Sequence, residues 1–366
     1  MDQFHDIRPY NDDEVAKVLV NLVNTPDFIN TIIGFRFKNW PKMLKGPLTF
    51  FVKLALKKQM AKIHNVHDFQ SIVKRYMDRM IKRTTTDVEY RGIEKLDKNV
   101  GHLFISNHRD IAMDPAFVNY GLYLNSISTV RIAIGDNLLR RSFISDIMRL
   151  NKSFIVKRSA NGMREMMAAF TQLSGYINHS VENDLCNLWI AQKEGRAKDG
   201  LDKTDPAIIK MFYMCKKKKM SFAQAMKSLN IVPVSISYEY DPCAIDKAGE
   251  LYEKAETGNY EKSEFEDIDS IKNGIVGKKG KVVITFGDQI KDDFETPDDL
   301  VAEIDRQIIG NYEIHSSNRS ALALLDGETI NDQEFEDYIA TCPQELKQTL
   351  LQMYANPLIQ RNQLVD

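Results

Sequence analysis

From about residue 87 onward, short β-rich runs alternate with helical stretches, and this alternation restricts the fold more than any other feature. The runs are Val100–Ser106, Val130–Ile134, Phe154–Val156, Leu185–Ile190, Ile231–Tyr238 and Lys281–Phe286. Helical patterns lie between them, near 114–124, 137–149, 161–180, 206–229 and 243–256. Strands alternating with helices predict an α/β fold: a mixed, mostly parallel sheet flanked by helices. An N-terminal helical subdomain (1–85) precedes that core (86–295), and a helical C-terminal extension (296–366) follows it. In such sheets the loops leaving the strand ends carry the chemistry. The run Ile231–Tyr238 contains Pro233, which lacks a ladder donor and so marks an edge, a bulge or a strand start. No residue of that run is reactive by type.

The chain has 366 residues, 43% hydrophobic and 27% charged, enough for a sizeable core. Collagen-like, low-complexity and disulfide-scaffold classes are excluded, and no internal repeat is present. The net charge of −2 conceals a split. Residues 1–240 hold 37 Lys and Arg against 24 Asp and Glu, whereas residues 241–366 hold 12 against 27. The first part is therefore suited to an anionic partner and the last is not. Cys186, Cys215, Cys243 and Cys342 are widely spaced and form no CxxC pair, as expected of reduced thiols. Met1-Asp-Gln-Phe-His-Asp has acids where a signal peptide needs positive charge. No stretch reaches the roughly 20 apolar residues of a spanning helix; Pro47–Leu56 comes nearest and is interrupted by Lys53.

Residues 11–83 read as helices. Asn11 precedes Asp12-Asp13-Glu14, and Val15, Val18, Leu19, Leu22 and Val23 follow at helical spacing. Between Phe28 and Arg83 stand 13 Lys and Arg but only two acids, Asp68 and Asp78. Apolar and aromatic residues interleave with that charge, among them Ile33, Trp40, Met43, Leu44, Phe50, Phe51, Val52 and Leu54. A basic helix with an aromatic-rich apolar face suits an anionic bilayer surface. The same pattern also suits a helical subdomain with a solvated basic face and a packed apolar stripe. No nucleic-acid recognition motif is present.

Four strand-end motifs stand out. After the first run stands Asn107-His108-Arg109-Asp110-Ile111-Ala112-Met113-Asp114-Pro115. A carboxylate beside an imidazole fixes its tautomer and makes the other nitrogen a general base. A structural histidine with Asp114 capping a helix from Pro115 is the plainer alternative. After the third run, Lys157 and Arg158 offer two adjacent cations to a phosphate. After the fourth, Glu194-Gly195-Arg196 combines a flexible glycine with a polar pair. The fifth is the Val-Pro-Val strand itself.

In that order, over about 130 residues, these blocks resemble the glycerolipid acyltransferase superfamily, which includes glycerol-3-phosphate and lysophosphatidate acyltransferases. The resemblance spans roughly residues 85–240. Lys152–Arg158 is similar to the family's Gly-x-Phe-Phe-Ile-Arg-Arg block, with Lys152 in place of the glycine. Two departures stand out. The family's His-x4-Asp is here His-x5-Asp, ending on Asp114, with Asp110 only two residues after His108. Its Glu-Gly-x-Arg is shortened, so that Arg196 directly follows Gly195.

The resemblance implies transfer of an acyl chain from coenzyme A or acyl carrier protein to a hydroxyl of glycerol-3-phosphate or lysophosphatidate in phospholipid synthesis. His108 would be the base and Asp114 its partner. Asn107, Arg109, Lys157, Arg158, Glu194, Gly195 and Arg196 would bind substrate. No metal or resident cofactor is implied; the acyl thioester is a co-substrate. The expected location is peripheral, on the cytoplasmic face of a membrane with anionic lipids. Two rivals stand beside this reading. One is a non-catalytic membrane-binding relative; the other is a metal phosphohydrolase using His108, Asp110 and Asp114.

Overall fold

The computed structural model describes residues 2–37, 45–139, 141–159, 162–263 and 266–364. Trp40, Met43 and Leu44 lie outside them. The chain forms two compact units, Met1–Tyr76 with Arg131–Ala169, and Met77–Val130 with Phe170–Asp366. These units cut across the boundaries at 85/86 and 295/296 drawn from the sequence.

Among the described residues there are seven strands: β1 (Thr85–Arg91), β2 (Leu103–Ser106), β3 (Arg131–Gly135), β4 (Ser153–Val156), β5 (Leu188–Ala191), β6 (Ile231–Tyr238) and β7 (Gly280–Phe286). In the second unit the order is β1-β7-β6-β2-β5. Strand β1 runs parallel to β7, and β2 runs parallel to both β6 and β5, whereas the β6–β7 pair is antiparallel. The expected mixed, mostly parallel sheet flanked by helices is therefore the observed one. Strand β1 is absent from the sequence reading. Asp87, Glu89 and Arg91 break its apolar character, as befits an edge strand that must not recruit another chain.

Pro233 stands inside β6, a strand buried along its whole length between β2 and β7. On the β7 side, pairing begins only at Val234, and Pro233 contributes its carbonyl to the Gly287 amide. The missing N–H therefore falls where the β7 ladder has ended, which is how a central strand tolerates proline.

The C-terminal helices are not a separate extension. Phe335, Leu350, Tyr354 and Ala321 share one core with Tyr240, Ala244 and Ala248, which follow β6. The first unit has its own core. Val15, Leu19 and Leu22 of the helix Asp12–Asn24 pack with Ile29, Val52, Phe143 and Leu150. Its strands β3 and β4 pair in parallel, and the Ile155 amide reaches the Ile7 carbonyl. No described helix is long and apolar enough to cross a membrane.

Candidate active site

The four residues of β2 are fully buried between parallel neighbours, so the chain must leave the strand with its polar groups satisfied. Asn107 does this by imitating a ladder partner. Its Oδ1 accepts from the Ile236 amide at 2.8 Å and its Nδ2 donates to the Ile236 carbonyl at 2.9 Å. His108 follows at the carboxyl end of a central strand, where ligands meet open α/β sheets. The Trp189 ring packs edge-on against the imidazole with centroids 5.6 Å apart. Its indole N–H donates to the Ser106 hydroxyl.

The turn after His108 absorbs the additional residue of His-x5-Asp. Asp110 Oδ1 accepts from the Ala112 and Met113 amides at 2.9 and 2.8 Å, closing the entry to the helix Met113–Leu124. That leaves Asp114, in the first helical turn, facing back toward His108. Its Oδ2 stands 2.8 Å from His108 Nδ1 and accepts from the Arg109 and Asp110 amides at 2.6 and 2.9 Å. Asp114, not Asp110, is the partner of His108. The capping suggested for Asp114 falls to Asp110 instead. Among the described residues no group of three or more His, Cys, Asp or Glu is arranged to hold a metal ion.

Burial alone would raise the Asp114 carboxyl. The His108 ring beside it, the Tyr238 hydroxyl and the amide bonds outweigh burial and hold it below the ordinary range. Asp110 behaves in the opposite way. Burial first, and the Asp114 charge second, push it up from 3.8 to about 6, and among the described residues its Oδ2 has no hydrogen-bond partner. The backbone of Gly274 lies against that oxygen; a Cβ there would stand 2.1 Å from it. Because the folded value exceeds the ordinary one, the folded chain binds more protons than the unfolded chain between pH 3.8 and about 6. This contribution to stability is fully present below about pH 4 and is lost as the pH rises through about 6. Asp110→Asn retains an acceptor for both amides and is expected to melt above the wild type at pH 8, by a few kcal/mol at most. That gain should vanish by about pH 4. Parallel melting curves for the two proteins across this range would remove Asp110 from the explanation.

The loop after β5 reaches the His108 backbone directly, since the Ala197 amide donates to the His108 carbonyl at 2.8 Å. Gly195 has φ +76°, where its lack of a side chain is needed. Glu194 is exposed, and Arg196 donates to the Ser270 hydroxyl at 3.3 Å. Ser270 belongs to the acidic segment, in which the sequence showed no chemistry.

Arg109 and Asn107 stand apart from the expected substrate-binding set, because both side chains are committed inside the fold. Arg109 donates to Asp202 at 2.7 Å and to the carbonyls of Ala197 and Gly200, and its guanidinium lies 5.5 Å from the Tyr312 ring. Asn107 adds a bond to the same carboxylate at 3.1 Å. The helix Lys347–Asn362 braces this loop from outside. Gln360 grips the Asp202 backbone at both its N–H and C=O, and Asn356 donates to the Asp199 carbonyl. The Met353 carbonyl closes on Gly200, whose φ is +82°.

In the first unit, Lys157 and Arg158 follow β4 as expected. Lys157 pairs with Asp6, and the Arg158 amide donates to Asp136 at 3.1 Å. The Arg158 guanidinium passes over Gly135, where a Cβ would come within 3.0 Å of its Nε.

Sequence reasoning missed Tyr238. Its hydroxyl donates to Asp114 Oδ1 at 2.7 Å, from the strand that offered nothing reactive by residue type. The only sequence signal was a tyrosine, which when buried usually finds a hydrogen-bond partner, closing an otherwise apolar and hydroxyl-bearing strand.

The model of the acyltransferase family matches residues 87–237. Among solved structures, the chain is similar to PlsC of Thermotoga maritima, a 1-acyl-sn-glycerophosphate (LPA) acyltransferase. The identity is 13% and the TM-score 0.38, over 81% of this chain and 94% of that one. No curated protein matches the chain. The family match covers β2, the His108–Asp114 pair, the Glu194-Gly195-Arg196 loop and β6 up to Ser237, so the similarity to the acyltransferase family falls on the residues that build this site.

Proposed function

We propose that the protein moves a fatty acyl chain from an acyl thioester, coenzyme A or acyl carrier protein, to a hydroxyl of glycerol-3-phosphate or lysophosphatidate. The observation that carries this reading is the His108–Asp114 contact at 2.8 Å inside the segment matching the acyltransferase family. Asp114 holds Nδ1, so Nε2 is the nitrogen that takes the proton of the acceptor hydroxyl as it attacks the thioester carbonyl. The thiolate of the donor leaves, and no acyl-enzyme forms. Lys157, Arg158 and Arg196 carry the positive charge that a glycerol phosphate requires, and Glu194 orients the acceptor. The test is thiol release from palmitoyl-CoA with glycerol-3-phosphate and lysophosphatidate as parallel acceptors. Release that depends on one acceptor names the substrate. Failure with both, and with acyl carrier protein as donor, would favour the non-catalytic relative.

The same reading includes attachment to an anionic membrane surface. In the helix Lys45–Met60, Leu48 and Val52 are buried, whereas Phe50, Phe51 and Leu54 are 65%, 64% and 56% exposed and lysines follow at 57 and 58. Aromatic side chains in water beside cations support an interfacial role. Replacing Phe50, Phe51 and Leu54 together by serine is expected to weaken binding to phosphatidylglycerol vesicles about tenfold or more, since each large apolar side chain contributes about 1.5–3 kcal/mol when fully buried. Equal flotation of variant and wild type would remove this surface from the reading.

A further inference from the structure

Strand β6 continues beyond its last pair with β2, Ser106 with Val234, and runs alongside the His108 turn to end at Tyr238. The Asn107 bonds to Ile236 fix this overhang against the turn. The Phe117 ring, packed edge-on at 6.0 Å, sets the plane of the tyrosine ring. The hydroxyl therefore has one direction available, toward Asp114 Oδ1 at 2.7 Å. This is the bond that fills the second oxygen of the carboxylate, the first being shared by His108 and two amides.

We propose that Tyr238 is a positioning residue that sets the proton affinity of the His108–Asp114 pair by its hydrogen bond to Asp114 Oδ1. The inference rests on His108 being the base of the proposed reaction. A donor on the carboxylate stabilises its charge and leaves it a weaker partner for the imidazolium; without that donor the pair holds its proton more tightly. Tyr238 can serve only while protonated. Burial, and then the charges of Asp114 and Asp110, keep its hydroxyl proton in place far above neutral pH. The groups facing the pair fix the sign of the effect. Asp110 on the turn and Asp241 beyond β6 both act on Tyr238 with negative charge. Lys247 binds Asp241 and the Arg109 carbonyl, and the Lys279 ammonium is held by Thr84 and the Gly277 carbonyl. None of these lysines donates to Asp114 in place of Tyr238.

The experiment titrates the His108 imidazole by nitrogen-15 NMR in the full chain, assigned by its loss in His108→Gln. Activity against pH is measured on the same samples. In Tyr238→Phe the midpoint of His108 is expected to rise by about half a unit to one unit, part of the worth of a hydrogen bond to a carboxylate. Difluorotyrosine at position 238, of nearly the same size and a stronger donor, should lower it. The acid limb of kcat/KM should follow in both. A midpoint that moves as expected while the acid limb stays put would uphold the role of Tyr238 and reject His108 as the base. An unmoved midpoint in both position-238 variants would overturn the proposal whatever the activity does. If Tyr238→Phe fails to fold, the difluorotyrosine chain decides alone.

Discussion

Asp202→Ala is expected to cost about 3–5 kcal/mol of stability, the range for removing one partner of a buried ion pair. Both partners are nearly sealed: Arg109 is 5% exposed and Asp202 is 3%. Burial pushes the Asp202 carboxyl up, while Arg109 beside it pulls the other way. The guanidinium at 2.7 Å cannot release its proton. Deleting the carboxylate strands that cation among two carbonyls and an aromatic face, and removes an acceptor of Asn107. Urea unfolding followed by circular dichroism should show a lower midpoint with little change in slope. A loss below about 1 kcal/mol would mean that water or the carbonyls compensate the guanidinium without its partner.

His108→Ala is expected to reduce acceptor-dependent thiol release by about 10²- to 10⁴-fold, the usual contribution of a positioned general base. The loss should fall on kcat, because in the proposed reaction the ring acts on the transferred proton and not on the bulk of either substrate. The fold should survive. The imidazole is partly exposed, and Asp114 retains the Arg109 and Asp110 amides and the Tyr238 hydroxyl. Initial rates over a range of acceptor concentration, with melting temperature as control, decide the matter. Turnover near the wild-type rate from a folded variant would reject the mechanism.

Much of this arrangement was legible before the structure. The alternation of runs and helices gave the sheet, and an Asn-His after a buried run placed the imidazole at a strand end. The spacing left two carboxylates open, and the turn chemistry chose between them: Asp110 is near enough in sequence to serve the amides of its own turn, so Asp114 is left to return to the ring. Other features depend on pairings that sequence order conceals. Arg109 and Asn107 look like ligand-binding groups beside a strand-end histidine, and only Asp202, some 90 residues later, shows them to be internal. Gln360 is further still, at the end of a segment that seemed to carry only charge. Tyr238 read as one more unreactive position of a buried run because a buried hydroxyl reveals its purpose only through its acceptor. Strand β1 escaped because an edge strand protects itself with charge and so loses the apolar alternation by which strands are recognised.

The grip of Gln360 on Asp202 also bears on the order in which the protein matures. Domains emerge and fold from the amino end during synthesis. The sheet and the His108–Asp114 pair can assemble while the chain is still attached to the ribosome. The loop through Ala197, which bonds the His108 carbonyl, gains its brace only when residue 360 has left the ribosome and its helix has docked. Chains interrupted before that point would hold the His108–Asp114 pair beside a loop that lacks its outer brace. Translation length thus separates forming the pair from bracing the loop beside it.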